Sequence, residues 1–127
     1  MIYIELGSNA IGSLDIEAYI NIVIAAKNEA DDLEDFITKT ADYFVTMRGW
    51  KETIRELFAE SAHTPATEEC KAQIAADMEQ MKKNAYSYIA FEEIKKAVHV
   101  MEPEWNDTDY AIETENFYIY YEWGTTA

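Results

Sequence analysis

The chain has 127 residues, 49% of them hydrophobic, with two prolines, four glycines, nine tyrosines, five phenylalanines and three tryptophans. That is the make-up of one folded domain over residues 1–127, with a single core and no room for a second. Twenty-five acids against ten bases give a formal charge of −15. Such a surface repels nucleic-acid phosphates and anionic lipid heads and attracts basic proteins and cationic ligands.

Cys70 is the only cysteine, which excludes an intrachain disulfide and fits a reducing compartment. The opening MIYIELGSNA lacks the basic and apolar regions of a signal peptide. The longest apolar run, AYINIVIAA, has nine residues, against the roughly 20 that a bilayer span needs. A soluble cytoplasmic protein is expected.

Residues 2–6 alternate, with Ile2, Ile4 and Leu6 on one side and Tyr3 and Glu5 on the other, the pattern of a half-buried strand. GSNAIGS follows, with Gly7 and Gly12 in the spacing of a phosphate-binding loop. Such a loop needs a lysine after the second glycine. Here Ser13 stands there, and no base precedes Lys27. Asp15 and Glu17 would also repel a phosphate from a helix start. The stretch therefore reads as a strand-to-helix connection, and no cofactor is expected.

Asp15 is expected to open a helix carrying Tyr19, Ile20, Val23 and Ile24. A second helix, from about residue 30 to 47, has Leu33, Phe36, Ile37, Ala41 and Phe44 at inward spacing and a stop at Arg48-Gly49. A third, 50–62, carries Ile54, Leu57 and Phe58 and is broken by HTPAT. Thr64 before Pro65 signals another helix start. A long helical region is expected from there to Met101, bent near 84–87. Cys70, Ile74, Met78, Met81 and Ala85 form one stripe of it, and Phe91, Ile94, Val98 and Met101 the next.

Residues 109–123 read as a hairpin. A two-residue turn at Glu115-Asn116 pairs Thr114 with Phe117, Ile112 with Ile119 and Tyr110 with Tyr121 on one face. An isolated hairpin is marginally stable, so the N-terminal strand is expected beside it. The fold class is α+β, in the order β-α-α-α-α-β-β. A small antiparallel sheet, made of the N-terminal strand and C-terminal hairpin, would pack one face against about four helices.

The charge is unevenly spread. Residues 1–35 carry −7, residues 36–101 carry −1, and residues 102–127 carry −7. If the two ends meet, they form one acidic face. Catalytic and metal motifs are weak by comparison. His63 and His99 lie in no ligand spacing, and each reads as the partner of a helix C-terminus. Asp107, Asp109 and Glu113 imitate part of a calcium loop but lack its glycine and flanking helices. No metal site is expected. No nucleophile motif is present, and Cys70 sits on an apolar stripe, so catalysis is not expected.

Two groups stand out as candidate partner-binding residues. The first is NEADDLEDF, residues 28–36, with Glu29, Asp31, Asp32, Glu34 and Asp35. The second is the other face of the sheet, with Tyr3, Glu5, Asp109, Glu113, Tyr118, Tyr120 and Glu122. It has no cation, and Asp109 lies opposite Glu122, a pairing that destabilises a sheet. Tyrosine adds amphipathic contact area. The expected function is non-enzymatic. The acidic surface would enter the basic groove of a nuclease or other nucleic-acid-handling protein, its carboxylates standing where phosphates would stand. It would act as a monomer or homodimer, with no direct nucleic-acid or membrane contact.

In size, charge and composition the chain resembles the small acidic inhibitors that phages and mobile elements direct against restriction or CRISPR nucleases. It is equally similar to immunity proteins that neutralise nuclease toxins. This likeness rests on no shared motif. A homo-oligomeric adaptor using its C-terminal helical region is a further reading. A small enzyme is another, and would require a concave pocket holding a carboxylate of raised pKa.

Overall fold

The computed structural model describes residues 1–11, 17–84 and 91–125. The fold is α+β. Five strands, β1 (Ile2–Gly7), β2 (Ala18–Ala26), β3 (Lys96–His99), β4 (Asp107–Glu113) and β5 (Phe117–Thr125), form one antiparallel sheet in the order β1-β2-β5-β4-β3. Three helices are present among the described residues: α1 (Leu33–Arg48), α2 (Thr53–Glu60) and α3 (Glu68–Lys83).

The hairpin forms in the expected register, with Tyr110 opposite Tyr121, Ile112 opposite Ile119 and Asp109 opposite Glu122. Its turn closes through the Thr114 N–H on the Phe117 carbonyl at 3.0 Å. The N-terminal strand, however, does not touch the hairpin. β2 lies between them, pairing with β1 on one side and β5 on the other. Residues 18–26 are therefore strand, not helix. A central strand buried on both faces is apolar on successive residues, and this erases the alternation that marks a half-buried one. Ile20, Ile22, Val23 and Ile24 are β-branched, which suits the pleated backbone better than a helix.

Burial on both faces also overturns the single helical layer. Ile20, Ile22, Ile24, Ile112, Ile119 and Tyr121 pack with Ile74, Met78 and Met81 of α3. Val23, Ala25, Ala111, Tyr118 and Tyr120 pack with Phe36, Ile37, Ala41 and Phe44 of α1 and Phe58 of α2. The sheet is thus the middle of three layers.

α1 begins where Asp32 accepts the Asp35 N–H at 2.7 Å. It ends at Gly49, whose φ of 70° suits glycine best. α3 is capped by Thr67, not opened at Thr64-Pro65. Instead Pro65 bridges to Val98 and the Ala66 N–H bonds the Ala97 carbonyl at 2.9 Å, so this segment runs along β3. α3 stops at Lys83, and residues 96–99 are strand. Val98 therefore does not continue a helical stripe, and His99 is not the partner of a helix C-terminus. His99 lies in β3 with its ring 4.9 Å from that of Tyr110. His63 does meet a helix C-terminus, its Nε2 lying 2.6 Å from the Phe58 carbonyl. Gly12, Ser13 and Asp15, and residues 85–87 of the bend expected near 84–87, lie outside the described residues, while Asn84 caps the end of α3.

Phe44 joins the α1 layer together. Its ring lies 4.1 to 6.3 Å from those of Tyr3, Tyr43, Trp50, Phe58 and Tyr120. Phe44→Ala would open a void between α1, α2 and the sheet. The expected loss is about 3–5 kcal/mol, read from the midpoint of denaturant unfolding. A loss under about 1 kcal/mol would show that this layer does not depend on Phe44.

Candidate functional site: a buried carboxylate row and an acidic rim

The two sequence-predicted groups separate in the structure. The acids of residues 28–36 gather around the start of α1, at the turn end of the hairpin, and most have local duties. Glu29 accepts the Ala26 N–H at 2.7 Å and pairs with the Met1 amino group at 2.6 Å. Both contacts hold its carboxyl below the usual range, the amino group contributing most. Asp32 caps α1. Asp35 accepts the Asp31 N–H at 2.8 Å and pairs with Lys39 at 3.0 Å. Glu34 meets His63 Nδ1 at 2.8 Å. Asp31 donates its N–H to Asp35, and its carboxylate acts on Lys39 only through its charge. Acids at a helix N-terminus are stabilised by its exposed N–H groups and dipole. Nearby, Glu113 pairs with Lys27 at 2.6 Å, and Lys27 also lies over the Tyr118 ring.

The face expected to be solvent-exposed is instead covered by α1 and α2. Tyr118 and Tyr120 are buried, Asp109 is 2% exposed and Glu122 is 5% exposed. The reason is the amphipathic stripe of α1, which needs an aromatic floor, and Tyr118 and Tyr120 supply it. Of the predicted face, Glu5 remains exposed, while Tyr3 and Glu113 are half-buried.

Burial of acids requires compensation. Register places Glu5, Asn21, Glu122 and Asp109 side by side across β1, β2, β5 and β4. The Tyr3 hydroxyl donates to Asn21 Oδ1 at 2.7 Å, and Asn21 Nδ2 donates to Glu122 Oε1 at 2.8 Å. Asp109 accepts the Met101 N–H at 2.9 Å and the Tyr120 hydroxyl at 2.8 Å. Burial raises the Asp109 carboxyl above its ordinary value, and these donors offset only part of that rise. Glu122 has a different solution. Burial pushes its pKa up to about 8, and a shared hydrogen bond with Asp107 adds to the rise. The shared hydrogen bond raises Glu122 and lowers Asp107, which favours the proton on Glu122 with Asp107 accepting. The destabilising Asp109–Glu122 pairing is thus relieved by neutralising one member.

In the next row, Tyr19 faces Gly124, and Gly124 faces Asp107. A Cβ on Gly124 would lie 2.3 Å from the Tyr19 hydroxyl, so the missing side chain is where that ring lies. Tyr3, Glu5, Tyr19, Asn21, Asp107 and Glu122, with Arg48 and Trp50 from α1 and its following turn, line a cleft of about 550 Å³. Arg48 stacks 4.3 Å over the Tyr3 ring and reaches Glu5 at 3.4 Å. Sequence reasoning missed Asn21, Asp107 and Arg48 as members. The signal for Asn21 was a lone amide inside a β-branched run.

A second feature lies on the outside. Glu60 and Glu102 line two adjoining hollows, of about 500 and 250 Å³, between the end of α2 and the 99–103 segment. Glu56, Glu60, Glu102 and Glu104 form no ion pair among the described residues. Leu57, which lines the smaller hollow, is 51% exposed, and Trp105, two residues beyond Pro103, is 78% exposed. This rim was not predicted. Its sequence signal is MEPEW, residues 101–105, where two acids alternate with proline and tryptophan just past the expected helical region.

No family model matches the chain, and comparison with curated proteins and with solved structures likewise gives no match.

Two outcomes are expected from these assignments. Asp32→Ala should cost about 1 kcal/mol of unfolding free energy, whereas the same change at Asp31 should cost little. Equal losses would contradict the capping role. Glu122 titrates higher in the folded protein than its ordinary value of 4.5. Its contribution to stability is therefore full below that value and falls as pH rises towards about 8, by about 1.4 kcal/mol per pH unit. Glu122→Gln keeps an acceptor for Asn21 and a donor for Asp107 without the titration. In denaturant unfolding between pH 5 and pH 8, the variant should gain on the native protein as pH rises. A gap that does not change with pH would rule out the shared proton.

Proposed function

We propose that the protein is a non-enzymatic acidic inhibitor that binds the basic nucleic-acid groove of a nuclease or other DNA- or RNA-handling protein. In this reading it is a DNA mimic of the kind deployed against restriction or CRISPR nucleases. The observation that carries the proposal is the unpaired acidic rim. Among the described residues only Asp109 and Glu122 are buried acids, so the charge excess lies on the surface. At Glu56, Glu60, Glu102 and Glu104 no cation among the described residues pairs with it. Fixed carboxylates of this kind steer a basic partner and compete with phosphates for its groove. The acids of the α1 start contribute to the field but are engaged in capping.

The same chemistry serves an immunity protein against a nuclease toxin, and the nature of the partner separates the two. A homo-oligomeric adaptor loses its proposed helical seam, because β3 occupies the end of that region. A ligand-binding or enzymatic reading draws support from the cleft and the raised pKa of Glu122. Its most perturbed acid, however, is nearly fully buried, and its contacts with Asn21 and Asp107 stabilise the sheet.

The test is affinity capture from the lysate of the native host at low and high salt. A basic nucleic-acid enzyme should be retained at low salt, released at high salt, and displaced by added DNA or RNA. Capture only of salt-insensitive partners without nucleic-acid function would overturn the proposal.

A further inference from the structure

The rim beside α2 combines charge with an apolar floor, and ordinary solvated acidic surface has no need of the second. Met101 lines both hollows, with Leu57 at the edge of the smaller one. Trp105 stands farther along the same chain segment. Exposed tryptophan is costly to leave in water and is enriched among residues that dominate binding energy. The segment that carries Met101 is also held firmly. Its N–H is fixed by buried Asp109, the Val100 N–H bonds the Asp109 carbonyl at 3.2 Å, and the His99 N–H bonds the Thr64 carbonyl at 2.9 Å. A preorganised groove loses less entropy on binding than a loose loop.

We infer that this groove is the docking surface for a basic partner segment, taking an apolar side chain of that segment against Leu57 and Met101 while Glu60 and Glu102 receive flanking lysines or arginines. The inference rests on the acidic-inhibitor reading and names its contact point. Charge complementarity selects the occupant. A second copy of this chain would bring a further −15 to an acidic groove, and a neutral apolar peptide would leave the carboxylates unanswered. The groove and the internal cleft meet at Met101, which lines both. The buried row thus positions one wall of the outer surface through Asp109.

The test uses a short amphipathic peptide of leucine, lysine and arginine, and a control peptide with each leucine replaced by serine. Both are titrated into ¹⁵N-labelled protein. The leucine peptide should shift amides of residues 56–62 and 99–105 and bind about tenfold more tightly than the control. Leu57→Ser should erase that preference while the rest of the spectrum persists, since that side chain is exposed. Glu60→Lys with Glu102→Lys should weaken both peptides. Equal affinity for the two peptides, or shifts elsewhere, would overturn the groove and leave the acidic-surface reading standing. No binding of either peptide would overturn both. A homodimer that Leu57→Ser dissociates would give the groove to a second copy and overturn the inference.

Discussion

The structure depends on how a sheet buried on both faces accommodates acids within it. Glu5, Asn21, Glu122 and Asp109 sit in one row across four strands, and the two carboxyls deepest in that row are almost fully covered. Two adjacent buried anions would cost far more than a cross-strand contact returns. The chain resolves this asymmetrically. Asp109 is surrounded by donors from Tyr120 and Met101. Glu122 keeps its proton, shares it with Asp107 and accepts from Asn21. One interaction neutralises charge and the other anchors backbone, so the row ties β1, β2, β5 and β4 to the segment that leads out of β3.

That tie has consequences outside the core. The amide of Met101 is held by Asp109, and Met101 lies where the internal cleft and the outer groove adjoin. Helix α2 forms the opposite wall of that groove. It is placed by Phe58, which packs on Phe44 and Tyr120. Tyr120 in turn donates to Asp109. Aromatic packing and the buried carboxylate therefore converge on the same position from two directions. A surface fixed in this way can present carboxylates at set distances, which a flexible acidic tail cannot.

Local signals in the sequence were legible where one residue or one period decided the outcome. Asn116 and the alternation around it placed the hairpin in register. Gly49 ended α1, and the Ile74, Met78, Met81 stripe identified α3. The failures have a common physical origin. In residues 18–26 both faces are buried, so Tyr19, Ile20, Val23 and Ile24 satisfy helical spacing while Ile20, Ile22 and Ile24 satisfy strand spacing. In residues 91–101, Phe91, Ile94, Val98 and Met101 repeat the ambiguity, although Lys96–His99 is a short edge strand. Having lost β2, the reading had too few strands to see that helices cover both sides. Tyr118, Tyr120, Asp109 and Glu122 were therefore assigned to solvent. The pairing of Asp109 with Glu122 was correctly recognised as costly, but its remedy lay in Asn21 and Asp107, one on the misread segment and one weighed only against a calcium loop and set aside.

Charge density by itself does not identify a binding surface in this molecule. The densest run of acids, residues 29–35, is spent largely on the start of α1, where Asp32, Asp35 and Glu29 accept backbone N–H groups and Glu34 meets His63. The rim at α2 is sparser, yet its acids have no such duties among the described residues, and Glu60 and Glu102 flank exposed Leu57. An acid that caps a helix must keep its place for the fold, and reversing its charge would report on folding before it reported on any partner. An acid without an internal partner can be altered with the fold intact. That distinction, invisible in a count of carboxylates, is what moves the functional weight from the start of α1 to the groove between α2 and the Met101 segment.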